Sequence, residues 1–277
     1  MWYKLKRIIM WVNNQEKQAR PKWPSERPDI DTYSIAQSTA YPYSWIHWLC
    51  VSKDWQFLYT WWAWSTLRQY SMTNKDITTL SQVASISWNS RWLAISRDGY
   101  NLYSVQDSSP YVRRLNMSTA WDISTWTVTT NTSGSYQYTW CAVNDTVSII
   151  YRWWDSHASK IYQSTMAGGS ISSLSWQEKV ISTPTVSGYS CDSVYDIKIS
   201  PTGKKMFVNQ IYNNNNYWCI TQYTLSTPRD ITTATYDNKM LIIPNNKSRF
   251  WFDVDDDWIL YAASLGESII YKYTSSS

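Results

Sequence analysis

The sequence predicts an all-β fold, a β-propeller of five four-stranded blades that an N-terminal strand closes. Three observations lead to this prediction: a strand–turn–strand unit recurs five times, no helical periodicity of useful length is present, and one strand-like segment precedes the first unit. A chain of 277 residues is long enough to bury a substantial core. The alternative architecture is a chain that forms part of a larger or open array of such units.

The first strand of each unit is a short anchor that ends in a turn. These anchor strands occupy residues 48–52, 92–96, 140–144, 196–200 and 251–255. Their starting residues are separated by 44, 48, 56 and 55 positions, and blades of four-stranded propellers run about 40–50 residues. The two longer spacings therefore imply loop insertions.

Further strands follow each anchor. An apolar second strand comes after the turn. The segment after it alternates between apolar and polar residues, and we interpret it as a third strand because period-2 alternation is typical of a strand with one buried face. A fourth strand completes each of the first four units, near residues 83–86, 127–130, 179–182 and 235–242. The fifth unit reaches Ser277 without one, so we expect residues 32–37 to supply it and to remove exposed sheet edges.

Tryptophan stands at several positions where a β-rich chain needs glycine. The chain holds 20 tryptophans and 7 glycines, whereas average usage corresponds to about 19 glycines. Residues 52–59 repeat the pattern of residues 96–103 with Trp55 in place of Gly99, and such a turn favours glycine because it needs a positive φ. Reading every tryptophan except Trp45 and Trp121 as glycine would raise the glycine count to 25.

This imbalance leads to the hypothesis that the gene uses UGA as a glycine codon and was translated with UGA as tryptophan. Some bacterial lineages and their phages decode UGA in this way. The alternative is a genuine aromatic surface, for instance one on which sugar rings stack. The codons at Trp55, Trp92 and Trp258 distinguish the two interpretations.

Positive charge is concentrated in an N-terminal arm, residues 1–30. Residues 1–28 contain seven Lys or Arg and two Glu, a net charge of +5 in a chain whose total is +4. The propeller, residues 31–277, is near neutral, so we expect its body not to bind nucleic acid. The charge of the arm suits contact with nucleic acid or an acidic partner, and the alternative, which we favour, is a solvated tail or a docking peptide. No signal peptide is recognised, and we expect no membrane insertion, because no apolar run is long enough to span a bilayer.

Two motifs carry a resemblance to a known repeat family. Residues 223–234 and 115–125 match the pattern Y-T-L-S-T-P-W-D-I-S-T-A, and residues 200–208 match the second half of G-L-A-F-S-P-D-G-T-K-M-Y-V. From about residue 31 to its end, the chain resembles β-propeller repeat proteins that are common in phage and environmental bacterial genomes. The corresponding segments 72–79 and 165–173 depart from the first motif.

The resemblance bears on both the codons and the function. The family pattern has glycine where this chain has Trp48, Trp92 and Trp251, and it has tryptophan where the chain has Trp121. This agreement favours the codon hypothesis. The resemblance implies a binding role on a virion or cell surface, with the arm docked on other virion or surface proteins, and carries no catalytic residues.

Loops that carry tyrosine and asparagine are the best candidates for ligand binding. In a propeller, the segments that lead into the first strands and the loops between second and third strands share one face around the central channel. Tyrosine and asparagine offer flat stacking surface and hydrogen bonds, which suits a glycan or protein partner. The alternative is solvated loops with some packed tyrosines. The candidate residues are Tyr41, Tyr43, Tyr136, Tyr138, Tyr189, Tyr212, Asn214 and Tyr217.

The metal-binding signal is weak. Asp253, Asp255 and Asp257 have the alternating spacing of a calcium loop if Trp258 is glycine. The glutamate expected at position 12 of such a loop is replaced by Ser264. We therefore expect no bound metal and keep these aspartates as a weak candidate.

Catalytic signals are weak as well. His157 lies near Asp155 and Ser156, but a nucleophile and its base need a mutual geometry that sequence does not provide. Motifs of the α/β-hydrolases, zinc proteases and phosphate-binding loops are absent from the sequence. We expect a non-catalytic phage virion protein, part of a tail or surface appendage, that contacts host-surface glycan or protein without a cofactor. The alternative is a propeller-fold enzyme, a lyase or hydrolase, with its site at the channel mouth.

Overall fold

The computed structural model defines short antiparallel strands along most of the chain. It describes residues 33–41, 46–62, 66–88, 92–105, 112–132, 140–143, 149–153, 160–166, 179–182, 191–200, 202–212, 217–242, 250–254, 259–264 and 268–275. The strands are β1 (Tyr33–Ala40), β2 (Ile46–Val51), β3 (Phe57–Trp62), β4 (Thr66–Thr73), β5 (Asp76–Ser87), β6 (Trp92–Ile95), β7 (Asn101–Val105), β8 (Val112–Met117), β9 (Trp126–Thr132), β10 (Trp140–Val143), β11 (Ile149–Trp153), β12 (Lys160–Thr165), β13 (Lys179–Ser182), β14 (Cys191–Ile199), β15 (Lys205–Tyr212), β16 (Tyr217–Leu225), β17 (Ala234–Ile242), β18 (Phe250–Val254), β19 (Leu260–Ser264) and β20 (Ile269–Ser275).

Within the described residues, these strands form five four-stranded antiparallel sheets. Sheets 1 to 4 are β2–β5, β6–β9, β10–β13 and β14–β17, and sheet 5 has the order β1-β20-β19-β18. The sheets are arranged as a β-propeller, so the predicted all-β propeller class is confirmed. The first strands of neighbouring sheets (β2, β6, β10, β14 and β18) contact one another, which places the anchors at the propeller axis.

Sheet 5 joins strands from opposite ends of the chain. β1 pairs antiparallel with β20, from Tyr33 opposite Ser275 to Ala40 opposite Ile269. The segment expected to complete this sheet, residues 32–37, lies in it from Tyr33 onward, and the strand continues to Ala40. Just beyond the strand, the Tyr41 N–H donates to Ser268 O at 2.6 Å.

The turn between the first and second strands, the A–B turn, is built alike in sheets 1, 2 and 4. A serine hydroxyl accepts the backbone N–H five residues later, which closes the turn. The pairs are Ser52 with Phe57 (2.9 Å), Ser96 with Asn101 (2.9 Å) and Ser200 with Lys205 (3.0 Å). One residue of each turn has a positive φ: 65° at Trp55, 75° at Gly99 and 72° at Gly203. Trp55 therefore adopts the backbone conformation that glycine has in the other two turns.

The turn between the third and fourth strands, the C–D turn, contains the Asp-Ile-Ser/Thr-Thr part of the repeat motif. In each described copy the aspartate carboxylate accepts the N–H two residues on, and the isoleucine is completely buried. The caps are Asp76 with Thr78 (2.9 Å), Asp122 with Ser124 (2.9 Å) and Asp230 with Thr232 (3.0 Å), and the isoleucines are Ile77, Ile123 and Ile231. Segment 72–79 departs from the motif in sequence, but its Asp76 forms the same cap as the aspartates of the other two copies. Segment 165–173 lies largely outside the described residues.

The A–B and C–D turns of one sheet lie side by side and define one face of the propeller, the turn face. The Trp121 N–H donates to Gly99 O at 2.9 Å, and the Arg229 N–H donates to Gly203 O at 2.7 Å. In sheet 1 the Lys75 ammonium lies 4.3 Å from the centre of the Trp55 ring. The opposite face, where the second and third strands are connected, is called the loop face below.

Each described C–D turn is also held by the sheet before it, through contacts that we call the seam clasp. Three kinds of contact recur: a donor to the carbonyl before the aspartate, an acceptor for the isoleucine N–H, and a side chain on the aspartate. Sheet 3 holds sheet 4 through Tyr151 Oη to Arg229 O (3.1 Å), Ile231 N to Gln163 Oε1 (2.9 Å) and Lys179 to Asp230. Sheet 1 holds sheet 2 through Tyr59 Oη to Trp121 O and Ile123 N to Gln69 Oε1 (3.1 Å).

The same clasp joins sheet 5 to sheet 1, across the two ends of the chain. Lys272 Nζ donates to Lys75 O at 2.9 Å, and Gln37 Nε2 donates to Asp76 Oδ1 at 3.1 Å. Lys272 and Gln37 face each other across β20 and β1, as Gln163 and Lys179 do across β12 and β13. The clasp therefore depends on the register of the paired strands, and different side chains form it at different seams.

The outer strands share a further irregularity. In sheets 1, 2, 4 and 5 the outer strand has a bulge at the same register. The bulge lies between the residues that pair with Gln69 and Tyr70 in sheet 1, with Arg114 and Leu115 in sheet 2, with Gln222 and Tyr223 in sheet 4, and with Lys272 and Tyr273 in sheet 5. A bulge bends an edge strand and interrupts its ladder of hydrogen bonds. These bulges therefore disfavour the addition of a further strand to the outer edges.

The tryptophans whose side chains are described all lie inward or half-buried. Trp48 and Trp251 are 1% exposed and belong to the core, while Trp55 and Trp126 pack against it. Among the described residues, no tryptophan belongs to the exposed large apolar side chains. In this part of the chain the tryptophans therefore do not form the aromatic surface that the sequence left open.

Candidate functional site

Charged side chains meet at the propeller axis, on the first strands of sheets 4, 5 and 1. Lys198 on β14 places its Nζ 3.7 Å from Asp253 Oδ1 on β18. The other oxygen, Asp253 Oδ2, accepts the Val51 N–H on β2 at 2.8 Å. One carboxylate therefore links strands of three sheets. Together with Cys50 and Asp196, described next, Lys198 and Asp253 make up the axial cluster.

Asp196 is the most deeply buried carboxylate of the axial cluster. It lies two residues before Lys198 on the same strand, is 0% exposed, and has its Oδ2 3.8 Å from Lys198 Nζ. Its Oδ1 accepts the Ile197 N–H at 2.8 Å. Burial raises the pKa of Asp196 to about 7; Lys198 opposes this shift, and the negative charge of Asp253 adds to it.

Cys50 on β2 is a buried thiol whose pKa is affected by Asp253 and Lys198. It is 8% exposed, and its thiol donates to Val51 O with an Sγ–O distance of 3.6 Å. Burial raises the pKa of Cys50 well above its usual value, and the neighbouring Asp253 raises it further. Because the thiolate is the reactive form of cysteine, this environment keeps Cys50 unreactive at neutral pH.

The axial cluster thus links the first strands of sheets 4, 5 and 1. The sequence interpretation did not recognise it as a cluster. The signal was available, because Cys50, Lys198 and Asp253 all occupy the third position of their anchor strands. Alignment of the anchors places them in one row, but only the structure shows that the lysine contacts both carboxylates.

Among the predicted ligand residues, the structure describes the side chain of Tyr41. Tyr41 is 7% exposed, and its ring meets that of Tyr70 edge to face with centroids 5.7 Å apart. The two hydroxyls are 3.2 Å apart, and the Tyr41 hydroxyl also bonds to Thr60 Oγ1. Tyr41 therefore packs where β1 ends, between sheets 5 and 1.

The backbones of Tyr212 and Tyr217 are also described. These residues form the last pair of β15 and β16, at the loop face. Tyr43, Tyr136, Tyr138, Tyr189 and Asn214 lie outside the described residues. Their joint role in ligand binding stays a prediction.

Tyr41 and Tyr70 border a cavity of about 210 Å³ between β1 and the outer strands of sheet 1. The cavity is also lined by Thr39, Ala40, Thr78, Leu80 and Gln82. The Tyr70 hydroxyl donates to Gln82 Oε1 at 3.4 Å. The Tyr41–Tyr70 bond crosses the junction of sheets 5 and 1, and the Tyr70–Gln82 bond lies within sheet 1.

The structure describes one of the three weak metal candidates. Asp253 uses its two carboxylate oxygens for Val51 and Lys198, as described above, while Asp255 and Asp257 lie outside the described residues. Within the part of the chain that is described, no group of His, Cys, Asp and Glu is arranged to hold a metal ion. The same residues contain no helix with the length and apolar character needed to cross a membrane.

Comparison with known proteins shows similarity of fold. No protein-family model matches the chain, and no curated protein matches it in sequence. A family AA12 carbohydrate-active enzyme from Trichoderma reesei has a TM-score of 0.51 at 10% identity, over 91% of this chain and 100% of that one. The β-propeller domain of Cps50 (Swd1) from Myceliophteria thermophila has a TM-score of 0.49 at 9% identity, over 88% of this chain and 100% of that one. The likeness to the AA12 enzyme shows the propeller fold alone.

Proposed function

We propose that the chain is a five-bladed propeller, closed by β1, that acts as a non-catalytic binding protein on a phage virion. In this proposal the basic arm docks on other virion or surface proteins, and the loop face contacts host-surface glycan or protein. The five-bladed ring is supported by the contacts of β2 with both β6 and β18, which bring the first and last sheets together. The virion assignment rests on the family resemblance of the repeat motifs.

The observation that carries the binding role is the position of the two ends of β1. Tyr33 pairs with Ser275, so the first described residue of β1 lies at the turn face. Tyr41 lies at the other end of β1, and the Tyr212–Tyr217 end of the β15–β16 hairpin lies at the same loop face. An arm on one face and tyrosine-bearing loops on the other suit a protein that is attached at one side and binds at the other.

The axial cluster supports a non-catalytic role. Its thiol is held protonated, and its lysine lies between two carboxylates, so neither group is available as a nucleophile. The alternative, a lyase or hydrolase, would place its site at the channel mouth. One protein of similar fold is a carbohydrate-active enzyme, but at 10% identity none of its residues can be assigned a role in this chain.

The proposal includes glycine decoding of UGA. Trp55 has φ +65° where the equivalent A–B turns have Gly99 and Gly203. A side chain in this left-handed region costs about 1–2 kcal/mol. TGA codons at positions 55, 92 and 258 would support this interpretation, and TGG codons at these positions would overturn it.

Two measurements test the proposed function on the full chain. Antibodies against the protein should label intact virions made from the genome that carries the gene; absence from virions and from cell surfaces would overturn the assignment. The purified protein should bind an array of bacterial surface polysaccharides or host-surface proteins without releasing shortened or unsaturated products. Product release would instead establish the enzyme.

A matched pair of variants locates the binding face. Replacing Tyr212 and Tyr217 together by serine should abolish binding if the loop face carries the site. Tyr100→Ser is the control, because Tyr100 is a 48% exposed tyrosine in an A–B turn on the turn face. Equal loss in both variants, or loss in Tyr100→Ser alone, would contradict the proposed orientation.

A further inference from the structure

The cavity between β1 and the outer strands of sheet 1 has the layout of a small binding site. Tyr41 and Tyr70 are 7% and 4% exposed, and their burial places them at its deep end. Thr78 and Gln82 are exposed and border its mouth, together with the half-buried Leu80. These three are alternate residues of β5, so their side chains lie on one face of the strand. The cavity is therefore open to solvent above a packed aromatic floor.

The equivalent place in sheet 4 is occupied by an aromatic ring. Tyr70 and Tyr223 are equivalent third-strand residues, because the bulge of the outer strand lies beside both. Gln82 pairs with Tyr70, and Tyr236 pairs with Tyr223. The ring centroids of Tyr236 and Tyr223 are 5.5 Å apart, so these two rings pack together. Sheet 1 has an amide side chain at this position, and the space beside Tyr70 is open.

The side chains around the cavity are neutral. Among the described residues that line it, none is charged; Thr39, Tyr41, Tyr70 and Thr78 carry hydroxyls, and Gln82 carries an amide. Hydroxyl and amide groups both donate and accept hydrogen bonds. An ionised ligand would lose its hydration without gaining a paired charge, which is costly. The lining therefore favours a neutral ligand that itself carries hydroxyl groups.

The hydrogen bonds at the cavity leave room for such a ligand. The Tyr70 hydroxyl has one hydrogen and two acceptors within reach, Tyr41 Oη at 3.2 Å and Gln82 Oε1 at 3.4 Å. Both distances exceed the usual range of about 2.5–3.0 Å for O–H···O bonds. At the mouth, the Thr78 hydroxyl donates to Asp76 Oδ1 at 2.7 Å, so its oxygen can accept a further donor. A ligand hydroxyl both donates and accepts, and can therefore replace the long contacts with shorter ones.

The size of the cavity limits the ligand to about one sugar ring. Pockets for drug-sized molecules have volumes of about 300–1,000 Å³, whereas this cavity has about 210 Å³. We propose that it binds one neutral pyranose, the terminal residue of a glycan, with ring hydroxyls bonded to Tyr70 and Gln82 and the next sugar directed to solvent. This inference goes beyond the proposed function, because the cavity lies between sheets 5 and 1 and is separate from the tyrosines at the end of the β15–β16 hairpin.

Titration of the unmodified full chain with methyl glycosides, followed by saturation-transfer difference NMR, tests the proposal. Methyl glycosides of glucose, galactose, mannose and N-acetylglucosamine are the neutral probes, and the uronic acids of the three hexoses are their charged counterparts. At least one neutral probe should bind with a dissociation constant on the order of 1 mM, because so small a ligand buries little surface. A hexoside that binds should do so about tenfold or more tightly than its uronic acid. Absence of binding by all neutral probes, or equal binding of a hexoside and its uronic acid, would overturn the proposal.

Variants locate the bound sugar. Gln82→Tyr introduces the side chain that sheet 4 has at this position and should abolish binding. Ser81→Tyr is the matched control, because it adds the same side chain to the other face of β5 and should leave the dissociation constant unchanged. Tyr70→Phe should weaken binding by about 3- to 10-fold through loss of one hydrogen bond. Binding that survives Gln82→Tyr, or is lost equally in Ser81→Tyr, would exclude this cavity. The double serine variant of Tyr212 and Tyr217 should bind the glycosides normally, so this test and that of the loop face fail independently.

Discussion

Gly99→Ala isolates the structural demand of the A–B turn. Gly99 has φ +75°, and an added Cβ would lie 2.5 Å from the Cδ2 and Cε2 atoms of the Trp121 ring. The left-handed conformation costs about 1–2 kcal/mol for a residue with a Cβ. Displacing a rigid, buried ring adds an overpacking cost of about 1–3 kcal/mol. We therefore expect the free energy of unfolding to fall by about 2–5 kcal/mol.

Gly203→Ala is the matched control. Gly203 has φ +72°, so the backbone cost is the same, but its added Cβ would meet Arg229 Cγ at 2.5 Å and Arg229 N at 3.1 Å. The flexible arginine side chain can move aside more cheaply than the indole. We expect a smaller loss of about 1–2 kcal/mol, mostly from the backbone. Urea denaturation of the full chain, followed by near-ultraviolet circular dichroism, measures both losses.

A double-mutant cycle tests the assigned cause. Trp121→Ala is destabilising by itself because Trp121 is buried, but in the Gly99→Ala background it removes the ring that the new Cβ strikes. The double variant should therefore be more stable than the sum of the two single changes predicts, by about 1–3 kcal/mol. Additivity within experimental error, or equal losses in Gly99→Ala and Gly203→Ala, would refute the reasoning.

Three further predictions follow from the turns, the clasps and the axial cluster. Tyr151→Phe removes the donor to Arg229 O and should cost about 0.5–1.5 kcal/mol in urea unfolding; a neutral Tyr151→Phe would show that the clasp hydroxyl is dispensable. Asp196 has a folded pKa of about 7, above its unfolded value, so its contribution to stability should be lost as the pH rises from about 4 to 7. In Asp196→Asn the free energy of unfolding should vary less with pH across this range. An unchanged pH dependence would contradict the assignment. At Trp55, both Gly and Ala variants lose the ring contacts, but Gly should be more stable by about 1 kcal/mol in thermal unfolding because the positive φ strains only Ala; equal stabilities would show that the turn is not strained.

The repeat architecture was predictable because it is local. The anchors, the A–B turns and the alternating third strands are patterns of adjacent residues. The described parts of the anchors, the A–B turns of sheets 1, 2 and 4, and the third strands lie at the expected places. The bounds of the first C–D turn were harder to predict because Asn74-Lys75-Asp76 replaces the expected Pro-Trp-Asp. The structure shows why the change is tolerated: position 75 needs a positive φ, which Trp121 and Arg229 also adopt, and the cap depends on Asp76 alone.

The axial cluster and the seam clasps were less predictable because they join residues from different sheets. Val51 and Asp253 are separated by 202 positions, and Lys75 and Lys272 by 197. No periodicity of neighbouring residues reports which side chains meet at the axis or across a seam. The bulges are hidden for a similar reason, since an extra residue in an outer strand leaves the sequence pattern of the other three strands unchanged.

The pairing of A–B and C–D turns bears on whether residue 55 is encoded as glycine or tryptophan. A positive φ alone does not require glycine here, because Lys75, Trp121 and Arg229 all have one in the C–D turns. What the other sheets show is a pairing: glycine in the A–B turn lies under a long side chain in the C–D turn, Gly99 under Trp121 and Gly203 under Arg229. Sheet 1 instead has two long side chains at one site, with the Lys75 ammonium over the Trp55 ring. Glycine at position 55 would restore the pairing, with Lys75 in the role of Arg229, so the repeat itself favours the glycine codon.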